Sequence, residues 1–325
     1  MEPPGTTDYD RERSSAERDI AELRRRTHEQ PTDVSSATRL LYRRYHLATL
    51  TGRVDDLPAV REDVDVAVAA SGPGADLALL RAQIDGTLHR FRDVPGDLAL
   101  ANGLAESAQG RAIGADLLLG AGDIDAARAD LLALLDSAPD WTVLSRLAHL
   151  EQVAGDDAAA DDRYAEAQDQ LDAKQMRAFC WLELERARID RRNCRLTDAA
   201  DHVDRADRSF SGSWFVDEAA AAVRHDQGDL DDAISLQRRA LARSDRPTGQ
   251  EALGRLLLLA GRRADAEVAF ATALADYLAS IQQGEVHYLH HLADFHATVR
   301  RDEAAADTWG DEAATSLRDP PTLTR

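Results

Sequence analysis

The sequence predicts an all-α protein, a solenoid of stacked antiparallel helix hairpins. Small residues dominate its apolar set: 59 Ala and 19 Gly among 325 residues, against 5% aromatic residues. Such a composition suits helices in close contact and not a β-sandwich or barrel, which needs β-branched and aromatic side chains. Long apolar-periodic stretches, broken by short Gly or Pro signals, run from Asp33 to Leu317. No alternation of period two persists over six residues, so nothing reads as a half-buried strand.

Four segments follow in chain order. Residues 1–32 read as an N-terminal tail, disordered to residue 12, with Ser14-x-x-Glu17 as a capping box opening a short helix to Thr27. Residues 33–107 read as degenerate repeats: Ala37–Leu50 with Val54–Ala69, then Leu77–Phe91 with Leu98–Ala108 across Pro95-Gly96. Between these hairpins, Ser71-Gly72-Pro73-Gly74 is a loop; it lacks the strand and third glycine of a dinucleotide fingerprint. Residues 108–317 hold six clear hairpins, and 318–325 form a tail in which Pro320 and Pro321 end the last helix.

The six hairpins share a register. Their first helices carry a small residue at Ala115, Ala148, Ala187, Ala221, Gly254 and Ala293; their second helices carry Ala127, Ala160, Ala199, Ala233, Ala266 and Ala305. Every pair is twelve apart, and successive pairs are offset by 33, 39, 34, 33 and 39 residues. Two helices approach closely only where side chains are small, and a larger residue then fills the groove beside the contact. Leu131, Tyr164, Val203, Phe270 and Trp309 stand four residues after the second small residue, and Gln237 departs from the rule. Gly122, Gly155, Gly228 and Gly261 sit where a helix end needs positive φ, while Cys194 and Arg300 replace Gly in two repeats.

This pattern resembles the tetratricopeptide repeat family, whose period is about 34 residues. The resemblance implies a right-handed α-solenoid with a concave groove lined by first helices, and a protein- or peptide-binding scaffold without catalytic activity. It places Arg146, His149, Glu185, Arg188, Arg192, Glu218, His225, Glu251, Arg255 and His290 in that groove. In peptide-binding members such positions clamp backbone or a terminal carboxylate, roles open here to Arg188, Arg192 and Arg255. Trp141, Trp181 and Trp214 read as rings packed between stacked repeats.

Charge narrows the partners. With 59 acidic and 39 basic residues the net charge is −20, which disfavours nucleic acid and anionic membranes. Of the acids 42 are Asp, of the bases 38 are Arg, and Lys174 is the one lysine; salt adaptation and codon bias both account for this. No stretch reads as a leader or a membrane span, and the expected location is cytoplasmic. Cys180 and Cys194 read as buried, reduced thiols. No hydrolase, phosphate-loop or zinc-protease motif is present, and no oligomeric state is implied.

The alternative reading is a small-molecule or metal-binding sensor. Four of the ten histidines fall in the segment 287–296. His287, His291 and Asp294 fall on one helical stripe at i, i+4 and i+7, a partial ligand set for a divalent transition metal.

Overall fold

The structure, a computed structural model, describes residues 6–72 and 74–317. Residues 1–5, Pro73 and the tail 318–325, with its expected helix-ending prolines, lie outside them. All described secondary structure is helical. The N-terminal part comprises α1 Asp8–Glu29, α2 Val34–Thr51, α3 Leu57–Ser71, α4 Ala75–Thr87 and α5 Val94–Leu100. Next come α6 Ala108–Gly120, α7 Ile124–Ser137, α8 Trp141–Val153, α9 Asp157–Asp169, α10 Met176–Arg192 and α11 Leu196–Ser209. The chain ends with α12 Trp214–Asp226, α13 Leu230–Arg243, α14 Pro247–Leu259, α15 Arg263–Gln282, α16 Leu289–Phe295 and α17 Glu303–Leu317.

Two compact units emerge. One contains the described residues up to Ser14 together with Leu135–Ala273; the other contains Ser15–Leu134 together with the residues from Leu274 onward. In the first, α8, α9 and α10 share a core of Leu144, Ala148, Ala160, Tyr164, Leu182 and Ile189. In the second, Leu41, Leu57, Val64, Leu80 and Ile84 join α2, α3 and α4, and Ala78, Val94, Ile113 and Leu117 join α4, α5 and α6.

The repeat register holds in packing terms in the first five of the six hairpins. Ala115, Ala127, Ala148, Ala160, Ala187, Ala199, Ala221, Ala233 and Ala266 are all buried. Gly254 is the tightest contact: a Cβ there would lie 2.5 Å from Cε1 of Phe270, the groove-filling ring of the same hairpin. The polar exception, Gln237, is buried because its amide donates to the Gly249 carbonyl at 3.1 Å. At the turns Gly122, Gly155, Gly228 and Gly261 take φ of 74° to 85°, and the next residue donates its N–H back to the preceding helix, as in Asp156 to Glu151 at 2.9 Å. Cys194 takes the same left-handed conformation, φ 57°, and is exposed rather than buried; Cys180 is buried.

Four expectations are corrected. The first helix begins at Asp8, not Ser14. Its capping box is Thr7-x-x-Asp10, in which the Thr7 hydroxyl accepts from the Asp10 N–H at 3.2 Å and the Asp10 carboxylate accepts from the Thr7 N–H at 3.3 Å. Ser14 and Glu17 are interior residues of α1, and residues 8–12 are ordered helix. Pro95 stands in the first turn of α5, a position where its missing N–H costs nothing, rather than in a turn before it.

In the last hairpin the first helix is only Leu289–Phe295, continued by a five-residue π turn, His296–Arg300. The π turn adds one residue, so the left-handed position is Arg301 (φ 53°) and not Arg300. Asp302 then caps α17 through the Ala305 N–H at 3.1 Å. Ala306 therefore occupies the place Ala160 and Ala233 hold elsewhere, and Ala305 and Trp309 are each one residue out of register.

Candidate functional site

Four of the expected groove residues come together in the first unit. Trp181, Glu185, Arg188 and Arg192 follow at helical spacing on one stripe of α10, and His149 reaches the same place from α8. Glu185 is buried and accepts from the Arg188 guanidinium at 2.8 Å. Burial pushes its carboxyl upward, against the opposing fields of Arg188, His149 and Arg192. Arg188 itself is 57% exposed. Arg192 pairs with Asp157, which also accepts from the Asn193 amide at 2.8 Å. Trp181 meets Tyr164 of the preceding hairpin edge-on at 6.1 Å, the expected packing of rings between repeats, while 38% of it remains exposed. The result is a surface with an apolar ring at one end and outward guanidinium donors at the other.

The remaining residues are scattered. Arg146 is half-buried and donates to the Thr142 carbonyl of its own helix at 3.2 Å. Glu218 belongs to a packing contact, accepting from Arg246, whose guanidinium lies 3.8 Å from the centre of the Trp214 ring. His225 lies against Asp226, Nδ1 to Oδ1 3.0 Å. Glu251 is buried and accepts two bonds from Arg255, at 2.9 and 2.6 Å.

The histidine segment does not form the expected metal site. His287 precedes α16, so the i, i+4 geometry with His291 never arises. Its buried ring faces Asp55 at 3.3 Å and Glu285 at 3.9 Å. His291 stacks on Tyr277 at 6.1 Å, His290 lies 5.2 Å from the His89 ring, and Asp294 is exposed. Among the described residues no three His, Cys, Asp or Glu side chains converge on a metal position. His89 is held well below the ordinary histidine range, at about 4, by burial and then by the fields of His290 and His287.

Two buried ionic networks escaped the sequence reading. In the first unit Glu183, Asp190 and His202 are all buried: His202 Nδ1 lies 2.6 Å from Glu183, Arg205 donates to Glu183 at 2.9 Å, and Arg195 donates to Asp190 at 2.8 Å. Asp190, His202, Arg195 and Arg205 border an open cavity of about 400 Å³. The signal was Glu183, Arg186 and Asp190 at inward positions of α10.

In the second unit Arg61 donates to Asp85 at 2.6 Å, Arg81 donates to Asp97 at 2.6 Å, and Asp65 accepts from both guanidinium groups at 2.8 Å. The outer oxygens of Asp85 and Asp97 are buried and meet no other donor. Burial, then a hydrogen bond with Asp85, raises the Asp97 carboxyl to about 7, against the opposing field of Arg81.

No protein-family model matches the chain, and a search of curated proteins finds no match. Solved structures do. The chain superposes on yeast Tom70 with a TM-score of 0.55 at 15% identity, covering 83% of this chain and 61% of that one. Cut9, in its tetramer with Hcn1 from the APC/C, gives 0.55 at 14% identity, 85% and 52%. A tetratricopeptide repeat protein from Parabacteroides merdae gives 0.53 at 13% identity, 77% and 99%. The chain thus spans about half of Cut9 and three fifths of Tom70. These likenesses establish the fold class, an all-α tetratricopeptide solenoid. Among the described residues no helix is long and apolar enough to cross a membrane.

Proposed function

We propose that the chain is a non-enzymatic scaffold that binds protein or peptide on the α10 face. The carrying observation is the stripe itself, where Trp181 is exposed and Arg188 extends beyond its single bond to buried Glu185. An anchored guanidinium with free donors suits a carboxylate, and an exposed indole beside it suits an apolar side chain. The fold supports this reading at the level of class: Cut9 is found in a hetero-tetramer with Hcn1.

The test is selection from a random library of peptides with free C-termini, followed by calorimetry on wild type, Arg188→Ala and Trp181→Ala. Each substitution is expected to weaken the selected peptide about tenfold or more, the loss typical of a charge-assisted bond or an aromatic anchor. Unchanged affinity in both variants would remove the α10 face from the function.

A further inference from the structure

The N-terminal segment is bound like a ligand. Within the first unit, residues 6–12 lie against residues that follow them by 165 to 233 positions. The turn between α11 and α12 receives the backbone: the Tyr9 N–H donates to the Ser211 carbonyl at 3.2 Å, and the Ser211 N–H and hydroxyl donate to the Asp8 carboxylate at 3.0 and 2.7 Å. Two arginines receive the next carboxylates. Arg243, at the end of α13, donates to Asp10 at 3.1 Å, and Arg177, at the start of α10, donates to Glu12 at 3.0 Å.

Tyr9 is fully buried, with the Arg243 guanidinium 5.7 Å from its ring centre. Gly212 completes the cradle. Its φ is +77°, and a Cβ on it would fall 2.5 Å from the Thr7 side chain, so the turn has room for the segment only because it lacks a side chain. The hydrogen bond from Ser211 holds the Asp8 carboxyl below its usual range.

This is the anatomy of a peptide site: one buried aromatic anchor, backbone pairing beside it, and a rim of charge pairs. Contacts of this kind give moderate affinity, which tethering converts into full occupancy. We infer that the cradle of Arg177, Ser211, Gly212 and Arg243 is a recognition site for an acidic, tyrosine-bearing helix N-terminus, occupied by residues 6–12 as an internal ligand that a partner segment of the same chemistry displaces. Arg177 stands one turn before Trp181 on α10, so the cradle adjoins the proposed peptide face, but it does not depend on Trp181 or Arg188 binding anything.

The experiment uses the full chain carrying Asp8→Ala and Tyr9→Ala, with a fluorescent peptide spanning residues 6–17 as probe. Fluorescence anisotropy is expected to show the opened chain binding the peptide about tenfold or more tighter than wild type, whose cradle is filled. Adding Arg243→Ala to the opened chain, or Tyr9→Ala to the peptide, should cost about tenfold. Hydrogen exchange should show residues 6–12 losing protection in the opened chain while α10 to α13 keep theirs. Three results would each overturn the inference: equal binding by wild type and opened chain, no binding by an opened chain whose residues 6–12 are released, or residues 6–12 still protected in the double variant.

Discussion

Gly254→Ala adds one methyl to the α14–α15 hairpin, and the structure fixes where it goes. The new carbon would stand 2.5, 2.6 and 3.0 Å from Cε1, Cδ1 and Cζ of Phe270, whereas carbon atoms rest at about 3.5 to 4.0 Å. The ring must retreat by about 1 Å, and it is 1% exposed, so its other neighbours must move with it. Overpacking of this kind costs about 1 to 3 kcal/mol, and the helix-propensity gain of alanine over glycine returns about 1. A net loss of about 0 to 2 kcal/mol is expected. Gly114, inside α6 with nothing near its would-be Cβ, supplies the control: Gly114→Ala should stabilise by about 0.5 to 1 kcal/mol. Urea titration, read as the midpoint at unchanged slope, separates the two signs. If Gly254→Ala is as stable as Gly114→Ala, the glycine is not the close-contact residue of its repeat, and the shared register fails there.

Two further predictions concern pH. The Asp97 carboxyl keeps a proton that the unfolded chain releases above the ordinary carboxylate pKa of 3.8, so its contribution is complete at low pH and is lost as pH rises through the folded value of about 7. Asp97→Asn keeps a permanent donor to Asp85; its stability curve should therefore fall less than wild type between pH 5 and 8, about 1 kcal/mol or more apart at the alkaline end. Parallel curves would mean that the Asp97 carboxyl does not titrate in this range. His89 runs the other way, because its folded pKa of about 4 lies below the unfolded 6.5. Its contribution is complete above pH 6.5 and is lost as pH falls toward 4, by up to about 3 kcal/mol. His89→Asn, which suits the left-handed backbone there (φ 57°), should flatten that acid limb in thermal melts; an unchanged limb would place the loss elsewhere.

Helices and turns were legible because their causes are local. A small residue, a glycine seven positions later and an aspartate after it set helix contact, stop and cap within one hairpin, and the α6–α7, α8–α9 and α12–α13 hairpins follow that rule. The failures have non-local or unusual causes. A π turn leaves no mark in apolar periodicity, so the final register slipped by one residue and carried Ala305 and Trp309 with it. The helix start at Asp8 depends partly on Ser211, far along the chain. Of the candidate site, the Arg188 and Glu185 contact was visible because both stand on one helix. The assignment of His287, His291 and Asp294 to one stripe failed because Gly284 and the residues after it keep His287 out of α16. Buried ion pairs were hidden by abundance: with 42 Asp and 38 Arg, nothing in the sequence singles out Asp85 or Arg81.

The docked N-terminus also imposes an order on biosynthesis. Hairpins such as α8–α9 close over a few dozen residues and can form as they leave the ribosome. Asp8, in contrast, emerges 203 residues ahead of Ser211, a lag on the order of 10 to 40 s at ordinary translation rates. Throughout that interval Tyr9 and its acidic neighbours are exposed on a nascent chain whose cradle does not yet exist. A completed copy translated nearby has one, but its own residues 6–12 fill it. That occupancy keeps a finished neighbour from capturing the nascent segment until the chain's own cradle has emerged.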